Sequence, residues 1–131
     1  MKRVTAAMFD AIAEEHPLKH QNVYARRYVF RCASGSDIEI MFEADPDKAP
    51  PNVWMLASAA APLLGAPIER KKKPSSELRT KIGKDGKPTY GRHSALEKMP
   101  QLGNADLVYF IPETLEEVGR ILDALLAAAR K

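Results

Sequence analysis

A chain of 131 residues suits one domain, spanning 1–131, that buries roughly two-thirds of its unfolded surface and needs no staple to fold. With 45% hydrophobic and 28% charged residues it has a globular composition, its one cysteine excludes an internal disulfide framework, and its longest apolar stretch, 53–68, is interrupted by Pro62, Gly65 and Pro67 and falls short of the ~20 residues of a membrane span. The net charge of +3 hides an asymmetry: residues 69–92 hold nine Lys/Arg against three Asp/Glu, on an otherwise near-neutral chain.

The first predicted element is a helix over 4–15. Val4, Met8 and Ile12, flanked by Ala7, Phe9 and Ala11, recur at helical spacing, and Pro17 disfavours helix at the residue before it. Next come two alternating stretches, 23–33 and 37–44, around the turn Ser34-Gly35-Ser36. Pairing Ala33 with Asp37 sets Cys32 against Ile38, Phe30 against Ile40 and Tyr28 against Phe42 on one face. The other face then pairs Arg31 with Glu39, Val29 with Met41 and Arg27 with Glu43, joining opposite charges. A one-residue slip would set apolar against polar side chains throughout.

Asp45 to Asn52 reads as a proline-rich loop. Asn52 is placed to cap a short helix from Val53 that ends near Pro62 and Gly65, with Trp54 in the core. From 69 to 92 the chain turns polar and basic. Asp85-Gly86 has the form of a tight hairpin turn. Leu78, Ile82 and Tyr90 are too few to build a buried sheet, so the segment predicts a basic hairpin or loop excursion. Ser94-Ala95-Leu96-Glu97 has capping-box spacing and opens a short helix before Pro100. The run Leu107-Val108-Tyr109-Phe110 predicts a buried strand over 105–111. Thr114-Leu115-Glu116-Glu117 repeats the capping box, and Leu115, Val118, Ile121, Leu122, Leu125, Leu126 and Ala129 form the apolar face of a closing helix. The sum is a small α+β domain: an antiparallel, hairpin-based sheet with the N- and C-terminal helices packed on one face.

The basic segment carries the leading functional expectation. Arg70, Lys71, Lys72, Lys73, Arg79, Lys81, Lys84, Lys87 and Arg92 are suited to neutralise phosphates, and Tyr90 adds a ring for an exposed base. The expected function is a non-enzymatic binding module for nucleic acid or an acidic protein partner. The bland alternative is a solvated arm. Tyr90-Gly91-Arg92-His93-Ser94 is the densest reactive cluster: a helix N-terminus beside Arg92 favours an anion, with His93 available for proton transfer, although Ser94 as a plain cap explains the same residues.

The enzyme alternative is a metal-dependent phosphoesterase or nuclease. It would use the acids Asp37, Glu39, Glu43, Asp45 and Asp47 with Arg92 and His93; pairing of Arg31 and Arg27 with Glu39 and Glu43 argues against it. His16 and His20 are four apart, as zinc ligands often are, but Pro17 interrupts a helix across them. No metal or other cofactor is expected, and Cys32 reads as an inert core thiol. A third reading is a regulatory or partner subunit gripping through the apolar 53–68 stretch. With no secretory signal visible, a cytoplasmic location is expected.

Overall fold

The structure, a computed structural model, describes residues 2–44, 51–79 and 81–130. Asp45 and Asp47 lie outside them. In chain order the elements are α1 (Lys2–Ile12), β1 (Glu14–Glu15), β2 (Ala25–Phe30), β3 (Ile38–Glu43), β4 (Asn52–Leu56), α2 (Ala57–Ala60), β5 (Arg70–Lys73), β6 (Lys81–Ile82), β7 (Pro88–Thr89), β8 (Leu107–Phe110) and α3 (Leu115–Ala129). Single 3-10 turns occupy Ala61–Leu63, Ser75–Glu77 and Ser94–Leu96. Six strands form one antiparallel sheet in the order β1-β2-β3-β4-β8-β5, and β6 and β7 make a separate two-stranded ribbon. The fold is α+β, as the periodicity predicts.

Because side chains alternate along a strand, the sheet has two apolar faces. On one, Tyr28, Phe30, Ile40, Phe42, Val53, Met55, Val108 and Phe110 pack against Ala6 and Phe9 of α1 and Val118, Ile121, Leu122 and Leu125 of α3. Phe9 stacks on Tyr28 with ring centroids 5.3 Å apart. The stripe on α1 is rotated from the predicted one: Thr5, Ala6 and Phe9 are buried while Ile12 is exposed. The helix also stops at Ile12, because Glu14 and Glu15 leave it to pair with β2. The α3 cap forms as predicted, with the Glu117 amide donating to Thr114 Oγ1 at 3.1 Å. Leu115, expected in the core, is exposed. Among the described residues no helix is long and apolar enough to cross a membrane.

The hairpin forms with a register two residues from the predicted one. Phe30 pairs with Ile38, Val29 with Glu39, Tyr28 with Ile40 and Arg27 with Met41. The connection therefore spans 31–37, and its cause is visible. The Ala33 amide leaves the ladder to donate to the Ala129 carbonyl at the end of α3, 2.8 Å away, and Gly35 turns with φ +89. Arg31 binds Glu14 at 2.7 Å and also Asp37, not Glu39. Arg27 donates to the carbonyls of Ala95 and Lys19 rather than to Glu43. A two-residue slip keeps every side chain on its face, so the apolar set is unchanged.

Three further expectations are corrected. Residues 52–56 form a strand, not a capped helix; Val53 and Met55 face the helices while Trp54, also buried, faces the opposite side in the β period, and helix begins only at Ala57. The 69–92 segment is not one excursion, because Arg70–Lys73 forms an edge strand on β8. Only Lys81–Thr89 makes the small ribbon, turning at Gly86 with φ +78. At the next turn the cap is His93, not Ser94: His93 Nδ1 accepts from the Ala95 amide at 3.0 Å.

The second sheet face is covered by the chain from Tyr90 to Ala105. Ala95, Leu96, Met99 and Leu102 pack there on Ala25, Met41, Trp54 and Leu107. Buried Glu39 fixes this cover. Its Oε1 accepts from the Gln101 and Leu102 amides at 2.7 and 3.2 Å, and its Oε2 lies 2.5 Å from His16 Nε2.

Candidate functional site

Between this cover and the sheet lies an open pocket of about 390 Å³ lined by Glu43, Asn52, Trp54, Tyr109, Lys73 and the run Gly91-Arg92-His93. Its floor follows from the register. Glu43 sits beside Asn52 on adjacent strands, and Trp54 beside Tyr109, with their rings 4.4 Å apart. Lys71 is the β5 partner of Tyr109. The distance from β3 to β5 is three strand spacings, roughly 14 Å, so the acidic and basic ends of the pocket stand apart.

Strand alternation also divides the basic run. Lys71 and Lys73 share the face of Tyr109, and Lys73 lines the pocket. Arg70 and Lys72 take the other face, where the Arg70 guanidinium donates to the carbonyls of Leu64, Ala66 and Ile68. Lys72 borders a separate, more apolar hollow with Ala57, Leu64 and Val108. Arg92 lines the pocket, yet its guanidinium is held by the Lys73 and Leu102 carbonyls at 2.7 and 3.4 Å. It contributes charge and holds the pocket's rim. Lys84 and Lys87 are exposed around the ribbon turn, and the side chain of Lys81 lies outside the described residues.

Tyr90 is not the free ring expected from the sequence. It packs on the second core, donates its hydroxyl to the Gly103 carbonyl at 2.7 Å and carries the Arg79 guanidinium 5.7 Å above its ring. Burial pushes its hydroxyl pKa up. The aromatic residues that line the pocket are Trp54 and Tyr109, of which Tyr109 is the more exposed. Its position, and those of Asn52 and Trp54, would have emerged from reading 52–56 as a strand: Asn52 and Trp54 then share a face.

The expected anion site at the start of the 94–96 turn is not available in the form predicted. The Ala95 amide is taken by His93, and both terminal nitrogens of Arg92 donate to carbonyls. Ser94 Oγ accepts from Gln21 Nε2 at 2.9 Å. The acids of β3 are likewise dispersed. Asp37 binds Arg31, Glu39 is buried with His16, and Glu43 Oε1 accepts from Trp54 Nε1 at 3.1 Å and Asn52 Nδ2 at 3.4 Å. Among the described residues no three His, Cys, Asp or Glu side chains are grouped to hold a metal.

The three histidines share one arrangement. Nδ1 of His16, His20 and His93 accepts a backbone amide from Leu18, Arg27 and Ala95 respectively, at 2.9–3.0 Å. Each Nε2 faces a glutamate: Glu39 at 2.5 Å, Glu15 at 3.9 Å and Glu43 at 3.9 Å. A neutral ring that accepts at Nδ1 carries its proton on Nε2. Cys32 is half-buried, and burial followed by the nearby Asp37 carboxylate pushes its thiol pKa up, keeping it protonated.

The apolar side chains of 53–68 are largely spent on the core: Val53, Trp54, Met55, Ala60, Leu63 and Ile68 are buried and Leu64 is exposed. No protein-family model matches the chain, and neither a curated protein nor a solved structure matches it.

Proposed function

We propose that the chain binds single-stranded nucleic acid, without chemistry of its own, across the sheet face that carries Lys71, Lys73, Arg92 and Tyr109. The observation that carries this reading is the convergence of Lys73, Arg92 and Tyr109 on one pocket, with Lys71 beside them in register. Cationic side chains follow phosphates while an aromatic ring takes a base of any sequence. A pocket of this size holds a base-sized group; a stacked duplex does not enter it. A second reading rests on β5 being the last strand of the sheet. An acidic protein strand would find both open backbone groups and countercharge along Arg70–Lys73.

The test is a titration of labelled single strands and duplexes at two salt concentrations, with wild type and a Lys71→Ala/Lys73→Ala variant. Binding by the variant should weaken on every sequence, and the salt slope on single strands should fall by ~0.7 for each lost phosphate contact. Unchanged affinity and slope would overturn the assignment to this face. No binding by wild type at low salt would overturn the nucleic-acid reading and leave the acidic partner.

A further inference from the structure

Among the described residues, Glu43 Oε2 accepts no hydrogen bond and His93 Nε2 donates none. Glu43 Oε1 is occupied by Trp54 Nε1 and Asn52 Nδ2. Its Oε2 faces His93 Nε2 at 3.9 Å, beyond hydrogen-bond reach. The Ala95 amide on Nδ1 fixes the His93 proton at Nε2. Both side chains retain partial exposure, 18% for Glu43 and 27% for His93, and both line the pocket that Tyr109 walls. The two groups therefore face the same space at ion-pair distance without a hydrogen bond to each other.

Neighbouring donor and acceptor atoms are the signature of a nucleobase edge, and unpaired bases are read there while stacked on an aromatic ring. We propose that this pocket takes one unpaired nucleobase, read on its Watson–Crick edge by Glu43 Oε2 and His93 Nε2–H. The inference rests on the nucleic-acid reading above and adds the base contact to it. Adenine offers N6–H and N1, cytosine N4–H and N3, thymine N3–H and O4; each supplies one donor and one adjacent acceptor. The pair thus accepts several bases but requires the edge to be unpaired, so a perfect duplex is excluded from the pocket.

Glu43→Gln gives the inference a distinctive test. The amide oxygen is expected to keep the Trp54 and Asn52 hydrogen bonds, which turns the amide NH2 toward the pocket. The site then shows two donors. Cytosine, with N3 and O2 adjacent, still fits; adenine and thymine have no two adjacent acceptors on that edge. Affinities of wild type and Glu43→Gln would be measured for oligo(dA), oligo(dC), oligo(dT) and an abasic oligomer of equal length. Wild type should bind the abasic strand about tenfold more weakly than the others, roughly the scale of one base contact. The variant should lose about as much on oligo(dA) and oligo(dT) and much less on oligo(dC). Equal wild-type affinity for abasic and base-bearing strands would overturn the base pocket while the phosphate reading stands, and it needs no variant. An equal loss on all three sequences in a folded variant would overturn the edge contact. Absence of binding to every strand would remove both readings.

Discussion

At the residue scale the chain relies on side chains that hold backbone. Arg27, Arg70 and Arg92 each donate to two or more carbonyls, so three of its cations serve as internal clamps. The histidines act as amide acceptors, and one of them, His20, gives a pH dependence through its burial. Burial, the largest influence, lowers the His20 pKa from its ordinary 6.5, with the neighbouring Glu15 carboxylate opposing it. The unfolded chain then binds the proton more readily than the folded one. The contribution of His20 is fully present above the unfolded value and is lost as pH falls through the lower folded value. Urea unfolding from pH 7.5 to 4.5 should show this loss. His20→Asn, which has no ionisable group but keeps an acceptor, should remove that part of the slope. An unchanged slope in the variant, or an NMR midpoint for His20 at or above 6.5, would show the assignment to be wrong.

At the element scale the 90–105 cover closes the second sheet face with little regular structure, held by Glu39 and by tight backbone turns. Gly103 is its most constrained point. A Cβ there would stand 2.8 Å from the carbonyl oxygens of both Glu97 and Met99. Both belong to the backbone, so neither yields by a rotamer change. Gly103→Ala should cost about 1–3 kcal/mol, the usual range for overpacking, measured as a shift in the urea midpoint with unchanged m-value. A variant as stable as wild type would mean that the cover is looser than described. The cover was only partly legible in the sequence: its buried Ala95, Leu96, Met99 and Leu102 keep helical spacing, but Pro100 and Gly103 interrupt them, so the run reads as one short helix and not as a cover for a sheet face. What was legible had strong periodicity: the apolar faces of β2 and β3, the run in β8 and the capped α3. The hairpin register was missed because a two-residue slip leaves the face pattern intact, and the deciding contact, Ala33 to Ala129, joins residues far apart in sequence. The basic run looked like an arm because four consecutive cations hide the alternation of an edge strand.

At the scale of the molecule, the sheet separates two kinds of surface. Both terminal helices cover one face with a continuous core. The other face carries a smaller core and, beside it, the pocket where the acid of β3, the aromatic pair of β4 and β8 and Lys73 of β5 meet. The charge asymmetry seen in the sequence survives in changed form. Its cations divide between structural clamps, the opposite sheet face, the exposed ribbon and the pocket. Fewer side chains than the sequence suggested are therefore available to one ligand, so the binding proposed above would be modest and salt-sensitive. The most direct test of the central claim is amide and side-chain NMR mapping as an unpaired oligonucleotide is added at low salt. The account predicts that the indole N–H of Trp54, the single tryptophan, shifts together with Lys71, Lys73, His93 and Tyr109 while α1 and α3 stay unperturbed. Shifts confined to the helical face, or none anywhere, would contradict it.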